Sequence, residues 1–208
     1  MLDRMTRFVW IPLLAVGTLH AAEVAPAAFS QRGKLLFEEK FSDPALAAGW
    51  TGKLGKWEMV DGAAKISELA EDKHAAVRRH ALGYHDAIFE FSFQFNAGKM
   101  IALSVNNKQG HVCRLIITPK SLVLQADKPN AKSELKAERL AVLDMDVSAD
   151  RWHQAVVEIR GAGMLAQVDG GKIIAAESAR IDGEKADLGF PVTGVGVLLD
   201  NVKVYAIR

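Results

Sequence analysis

A chain of 208 residues, half of them hydrophobic, is long enough for one well-filled core and short for two ordinary domains. Its 26 Lys and Arg stand against 25 Asp and Glu, so no net field draws nucleic acid or an anionic membrane surface, and neither is expected as a partner. The single cysteine, Cys113, has no disulfide partner and alternates with Leu115 and Ile117, which reads as a small core residue.

The N-terminus has the pattern of a secretory signal. Arg4 and Arg7 precede the apolar run Phe8 to Leu19, and the small residues Ala21 and Ala22 follow. The run is shorter than the roughly 18 to 20 residues a membrane anchor needs, so cleavage near Ala22 and a secreted or periplasmic location are expected, with no membrane association after cleavage. Residues 23–33 read as a short alanine-rich tether, and 34–208 as one domain. Lys34 to Phe41 predicts a strand with Leu35, Phe37 and Phe41 on one face, closed by Ser42-Asp43-Pro44. Trp50 falls in a Gly-flanked loop. Lys56 to Val60 and Ala64 to Ser67 flank Asp61-Gly62, a hairpin signal. His74 to Ala81 is a further short strand.

The central stretch, Ala87 to Thr118, has the clearest pattern. Phe89, Phe91, Phe93 and Phe95 alternate with Glu90, Ser92 and Gln94, giving one apolar row and one polar row. Met100 to Val105 and His111 to Thr118 follow after short connections, and the spacing predicts a three-strand antiparallel meander. Ser121 to Lys128 is another strand. Residues 131–147 fit a short helix or a long excursion across the sheet about equally. Trp152 to Arg160, the hairpin around Asp169-Gly170-Gly171, and Gly196 to Ile207 complete about twelve short strands, the count and spacing of an all-β sandwich or barrel.

Three passages resemble the concanavalin A-like lectin and glucanase superfamily and, within it, the 3-keto-disaccharide hydrolase family. They are Phe41-Ser42-Asp43 and Trp50 with Gly55 to Gly62, the aromatic strand Ile88 to Phe95, and the closing Leu199-Asp200-Asn201-Val202-Lys203-Val204. The resemblance spans about residues 34 to 207 and implies a two-sheet antiparallel jelly-roll β-sandwich whose concave face binds or cleaves sugars, with a carbohydrate or glycoside as partner. The chain also departs from the family. Asn96-Ala97-Gly98-Lys99-Met100-Ile101 stands where hydrolase members have Asn-Ser-Gly-Ile, and Gly110-His111 with Trp152-His153 stand in place of other family phrases.

Most glycosidases use two carboxyl groups, roughly 5 to 5.5 Å or 6.5 to 9.5 Å apart. No single strand face here offers two acids: the face of Glu90 holds Ser92 and Gln94, and that of Glu158 holds Gln154 and Val156. A pair drawn from different strands stays open. The catalytic candidates are therefore Glu90, His111 and Glu158, with His111 able to act as acid or base near neutral pH. Arg114, Lys128 and Trp152 are candidate sugar contacts. Arg114 shares a face with apolar residues, so an acid caps it or it points into a groove. His153 falls on the apolar side of its strand and reads as buried and satisfied, and Asp200 as a turn-fixing residue. No His-x-His, His-Glu-x-x-His or cysteine pair occurs, so no metal or other cofactor is expected. Asp144, Asp146 and Asp150 read as a solvated acidic loop rather than a calcium site. Three functional readings follow: a glycoside hydrolase, a non-catalytic carbohydrate-binding module, and a structural surface domain that binds another protein.

Overall fold

The computed structural model describes residues 28–43 and 49–208. The expected signal peptide and the first part of the tether lie outside the described residues. In chain order the strands begin with β1 (Arg32–Glu39), β2 (Trp50–Leu54), β3 (Lys56–Val60), β4 (Ala63–Ser67) and β5 (Val77–Tyr84). The middle of the chain gives β6 (Ala87–Gln94), β7 (Ala97–Asn107), β8 (Gly110–Thr118), β9 (Ser121–Ala126) and β10 (Glu138–Asp144). The remainder gives β11 (His153–Arg160), β12 (Gly163–Val168), β13 (Ile174–Glu177), β14 (Lys185–Gly189), β15 (Val192–Val195) and β16 (Val197–Ile207).

These strands form two antiparallel sheets packed face to face as a jelly-roll sandwich. One sheet runs β13-β12-β11-β6-β16-β4-β3, with β1 also paired to β16; the other runs β10-β9-β8-β7-β14-β5-β2, with β15 also paired to β7. They are called here the β6 sheet and the β7 sheet. Strand alternation decides which side chains meet between them. The phenylalanine row behaves as its pattern predicts: Phe89, Phe91, Phe93 and Phe95 are fully buried. Ile174, Ala166, Val157, Phe89 and Val204 lie in register across the inner face of the β6 sheet. The β7 sheet answers with Ala126, Cys113, Val105 and Leu188. Cys113 is buried and free, as expected, and burial pushes its thiol pKa up to about 12. Both Asp-Gly signals form hairpins through consecutive positive-φ residues, Asp61 (+52°) with Gly62 (+77°) and Asp169 (+52°) with Gly170 (+67°), the pair that a type I′ turn requires.

Several expectations are corrected. Ala87 to Thr118 is not one meander: β6 and β7 are consecutive in sequence but belong to different sheets. The reason lies at Asn96, which takes a left-handed conformation (φ +49°). Its N–H donates to the Ala149 carbonyl at 2.8 Å and its Nδ2 to the Gly196 carbonyl at 2.9 Å. The corner is therefore tied to two distant loops rather than to a hairpin partner, and the chain changes sheet there. The meander that does form is β7-β8-β9. Leu35 is 43% exposed instead of facing inward, because the β1–β16 register is irregular on either side of it. Residues 131–147 contain no helix, and β10 pairs with β9 instead. Trp50 starts β2 rather than lying in a loop, and β14 and β15 are further strands beyond those read from the sequence.

Candidate functional site

The outer face of the β7 sheet carries the candidate site. Because Val105, Cys113 and Leu115 turn inward, their neighbours Ser104 and Arg114 turn outward. Thr51, Arg79, Gly189, Ser104, Arg114, Gln125 and Arg139 are paired strand to strand in one unbroken line from β2 to β10. The middle of this line floors a pocket of about 380 Å³, walled by Leu54, His74, Val77, Met100, His111 and Pro191.

Two arginines define the floor. Arg79 gives its Nε to Asp187 Oδ1 at 2.7 Å and its Nη2 to the Ser104 carbonyl at 3.1 Å. It lies flat across Gly189, where a Cβ would come within 2.9 Å of the Arg78 carbonyl and 3.0 Å of the Arg79 Cγ. Arg114 reaches Asp127 Oδ2 with both Nε and Nη2 at 2.8 Å, while Gln125 Nε2 donates to Asp127 Oδ1 at 2.7 Å. Asp127 is buried, and an Arg180 guanidinium N–H donates to its backbone carbonyl. Both alternatives read for Arg114 are thus realised together: an acid caps it and it faces a groove.

Between the two arginines sits Ser104, only 1% exposed, with its hydroxyl buried and without a hydrogen-bond partner. Trp57 Nε1, Arg78 Nε, His80 Nδ1 and Arg180 Nε are likewise buried without a partner, and of these five atoms only the Ser104 hydroxyl belongs to a residue that lines the pocket. At the rim, His111 Nδ1 lies 2.8 Å from Asn106 Oδ1. An amide oxygen only accepts, so Nδ1 carries the proton and Nε2 is left as an acceptor. Burial lowers the His111 pKa from its ordinary 6.5; the Arg114 and Arg79 charges act in the same direction, against Asp127 and Asp187.

The structure gathers the sequence-predicted residues into two separate places. His111 and Arg114 meet at this pocket, and Lys128 is exposed on the loop that leaves β9 just after Asp127. Glu90 and Glu158 lie on the opposite side of the sandwich, on the outer face of the β6 sheet, so they do not converge with His111. There Glu90 pairs with Val156, and Glu158 with Ile88, making the two acids diagonal neighbours, a separation of roughly 7 to 8 Å in an antiparallel pair. Both are occupied. Glu158 is buried and accepts the Ser30 N–H at 2.6 Å and its hydroxyl at 2.8 Å, and Glu90 is held by the Arg32 guanidinium. Trp152 is 42% exposed, immediately before β11 in the same sheet.

His153 is buried and satisfied, as expected: it is 2.7 Å from Asp169 Oδ2 and 2.8 Å from the Ser148 carbonyl, and it stacks on Phe93. Asp200 accepts the Asn201 N–H at 2.6 Å and fixes the local turn. Among the described residues no group of three or more His, Cys, Asp or Glu is placed to hold a metal ion. Sequence reasoning missed Ser104, Arg79, Asp127 and Asp187. Ser104 alone left a signal, a hydroxyl inside the otherwise apolar run Met100 to Val105.

No family model and no curated protein matches the chain. Solved structures do resemble it. The carbohydrate-binding module CBM66 from Bacillus subtilis superimposes with a TM-score of 0.63 at 13% identity, covering 76% of this chain and 96% of that one. The CBM2 module of the evolved Dit of Lactobacillus casei BL23 phage J-1 gives 0.60 at 12% identity, covering 86% and 98%. A laminarinase from Flavobacterium sp. UMI-01 gives 0.58 at 13%, covering 83% and 100%. At these identities the likeness establishes the jelly-roll β-sandwich fold alone.

Proposed function

We propose that this chain is a carbohydrate-binding jelly-roll domain, and that its ligand seat is the pocket on the outer face of the β7 sheet. The observation that carries the reading is the buried, unpartnered Ser104 hydroxyl between two fixed guanidinium groups. Sugar hydroxyls donate and accept at once. Ser104 can do both, the arginines donate, and His111 Nε2 accepts. Leu54, Val77, Met100 and Pro191 supply an apolar wall for the C–H face of a sugar ring. The folds of the carbohydrate-binding modules named above support this assignment by analogy.

Binding is favoured over hydrolysis because the carboxylates beside the pocket, Asp127 and Asp187, are each held by an arginine, whereas most glycosidases need a carboxylic acid and a free carboxylate flanking the bond. On this reading the chain is a divergent, non-hydrolytic relative of the 3-keto-disaccharide hydrolases. Export to the periplasm or beyond is part of the same proposal and rests on the N-terminal pattern from Arg4 to Ala22.

The test is calorimetric titration of the purified protein with soluble polysaccharides and their oligosaccharides, with release of reducing ends measured in parallel. Binding without turnover is expected. Ser104→Ala should weaken it roughly three- to tenfold, the worth of one net hydrogen bond, without loss of stability. Absence of binding across the panel, or binding indifferent to Ser104→Ala and Arg79→Ala alike, overturns the proposal.

A further inference from the structure

We infer that the pocket selects uncharged sugars and rejects uronates and sulfated sugars, a refinement that rests on the carbohydrate-binding reading above. A pair of arginines flanking a free hydroxyl would ordinarily indicate an anion site, since guanidinium groups grip carboxylate and phosphate in bidentate fashion. Here the Nε side of each guanidinium is already given to a carboxylate, and only Nη N–H groups whose charge is countered remain for a ligand. The Arg79 Nε is committed to Asp187 at 2.7 Å, and Arg114 gives both Nε and Nη2 to Asp127 at 2.8 Å. The two cations and two carboxylates sum to no net charge.

Nor can Asp127 step aside. Asp127 is 2% exposed, and its second oxygen is fixed by Gln125 Nε2. A ligand carboxylate on the pocket floor would therefore meet arginines already paired with carboxylates of the ligand's own sign, Asp127 and Asp187, beside the pocket. The rim acts in the same sense. With Nδ1 donating to Asn106 Oδ1, His111 presents a lone pair at Nε2, which attracts a hydroxyl and repels a carboxylate oxygen. A neutral sugar meets none of these penalties: its hydroxyls can accept from a guanidinium N–H and donate to His111 Nε2 or Ser104 Oγ.

The experiment compares matched pairs that differ only in the oxidation state of C6, a polygalacturonan with the same polymer after carboxyl reduction and glucose-terminated with glucuronate-terminated oligosaccharides. Titrations are run at about 0.01 to 1 M salt, where the screening length changes severalfold. The native protein should bind the neutral member at least roughly tenfold more tightly, a single well-placed charge term, with an affinity insensitive to salt. Asp187→Asn should narrow or invert the preference by leaving one arginine charge unopposed. Thermal unfolding confirms that this variant is folded; if it is not, the native protein's neutral-to-acid ratio and salt dependence decide alone. A uronate bound as tightly as its neutral partner, or a neutral ligand whose affinity collapses with salt, overturns the inference and leaves the carbohydrate reading intact. Failure of both members of every pair overturns the carbohydrate reading and this inference with it.

Discussion

The outer faces of the two sheets use the same materials to different ends. On the β6 sheet Glu90 and Glu158 form a diagonal pair of carboxylates, and residues 28–32 lie over them, Ser30 satisfying one and Arg32 the other. On the β7 sheet Asp127 and Asp187 are equally well partnered, by Arg114 and Arg79, yet the framework they build encloses an unsatisfied hydroxyl and an open pocket. The contrast teaches that two acids on one face do not mark a site. What singles out the β7 face is the combination of an open pocket and, on its floor, a polar side chain that the chain has left without a partner.

The strongest way to break this comparison is to remove a cation from each face. Arg114→Ala strands the buried Asp127 carboxylate, and uncompensated buried charges of this kind cost about 3 kcal/mol or more. The expected result is a large fall in the urea midpoint at unchanged slope, with partial recovery in the Arg114→Ala, Asp127→Ala double variant. Arg32 is its counterpart on the other face. Its side chain is 49% exposed, so Arg32→Ala should move stability by less than about 1 kcal/mol. Equal losses from the two substitutions would contradict the view that one face is framework and the other cover.

Next in size is Glu158→Ala, which removes the acceptor of two Ser30 donors. Hydrogen bonds to an ionised group contribute about 1.5 to 3 kcal/mol, so a loss near 2 kcal/mol is expected, accompanied by faster proteolysis ahead of β1. Sugar binding should be unchanged, since the pocket lies on the other side of the core. A loss of binding in this variant would return the diagonal acid pair to consideration as a catalytic site.

How much of this could be read beforehand follows from how local each feature is. The phenylalanine row, the Asp-Gly hairpins, the inward Cys113 and His153 and the outward Arg114 all follow from alternation within one strand, and the structure keeps them. The partners of Arg114 and Arg79 could not be found that way. Asp187 reaches Arg79 across 108 residues of chain, on a strand, β14, that has no hairpin signal of its own. The step from β6 to β7 departs from its sequence pattern for a related reason. Its connection has the length of a hairpin, but the bonds that decide the sheet change run from Asn96 to Ala149 and Gly196, and sequence spacing carries no trace of them. The segment 131–147 has leucines at spacings that suit a helix, yet β9 offers it an open edge, and tertiary pairing outweighs weak propensity.

Gly189→Ala sharpens the comparison at smaller cost. The added methyl meets the Arg78 backbone carbonyl oxygen at 2.9 Å and the Arg79 side chain at 3.0 Å, so the strands must shift slightly apart and the arginine must lift off the floor. A stability loss of about 1 kcal/mol is expected, together with a disproportionate loss of sugar affinity, because Arg79 no longer aligns with Ser104. An affinity that falls no further than stability would make Gly189 a packing residue and nothing more.

The smallest effect is the most selective. His111 and His80 both have pKa values below the ordinary 6.5, each chiefly through burial. A lowered folded-state pKa means that the unfolded chain takes up the proton first as pH falls through 6.5, so each histidine withdraws stability below that point and none above it. Unfolding curves cannot separate the two, since His80 lies against Phe37 and Trp50 while His111 sits on the pocket rim, and both tilt the stability profile the same way. Sugar affinity can. Protonation turns the His111 Nε2 from acceptor to donor, so binding should weaken across about pH 7 to 5, and His111→Gln should flatten that profile while the stability profile keeps the slope due to His80. A native binding profile that is flat over this range would place the ligand away from the rim, on the Ser104 and Arg79 side of the pocket alone.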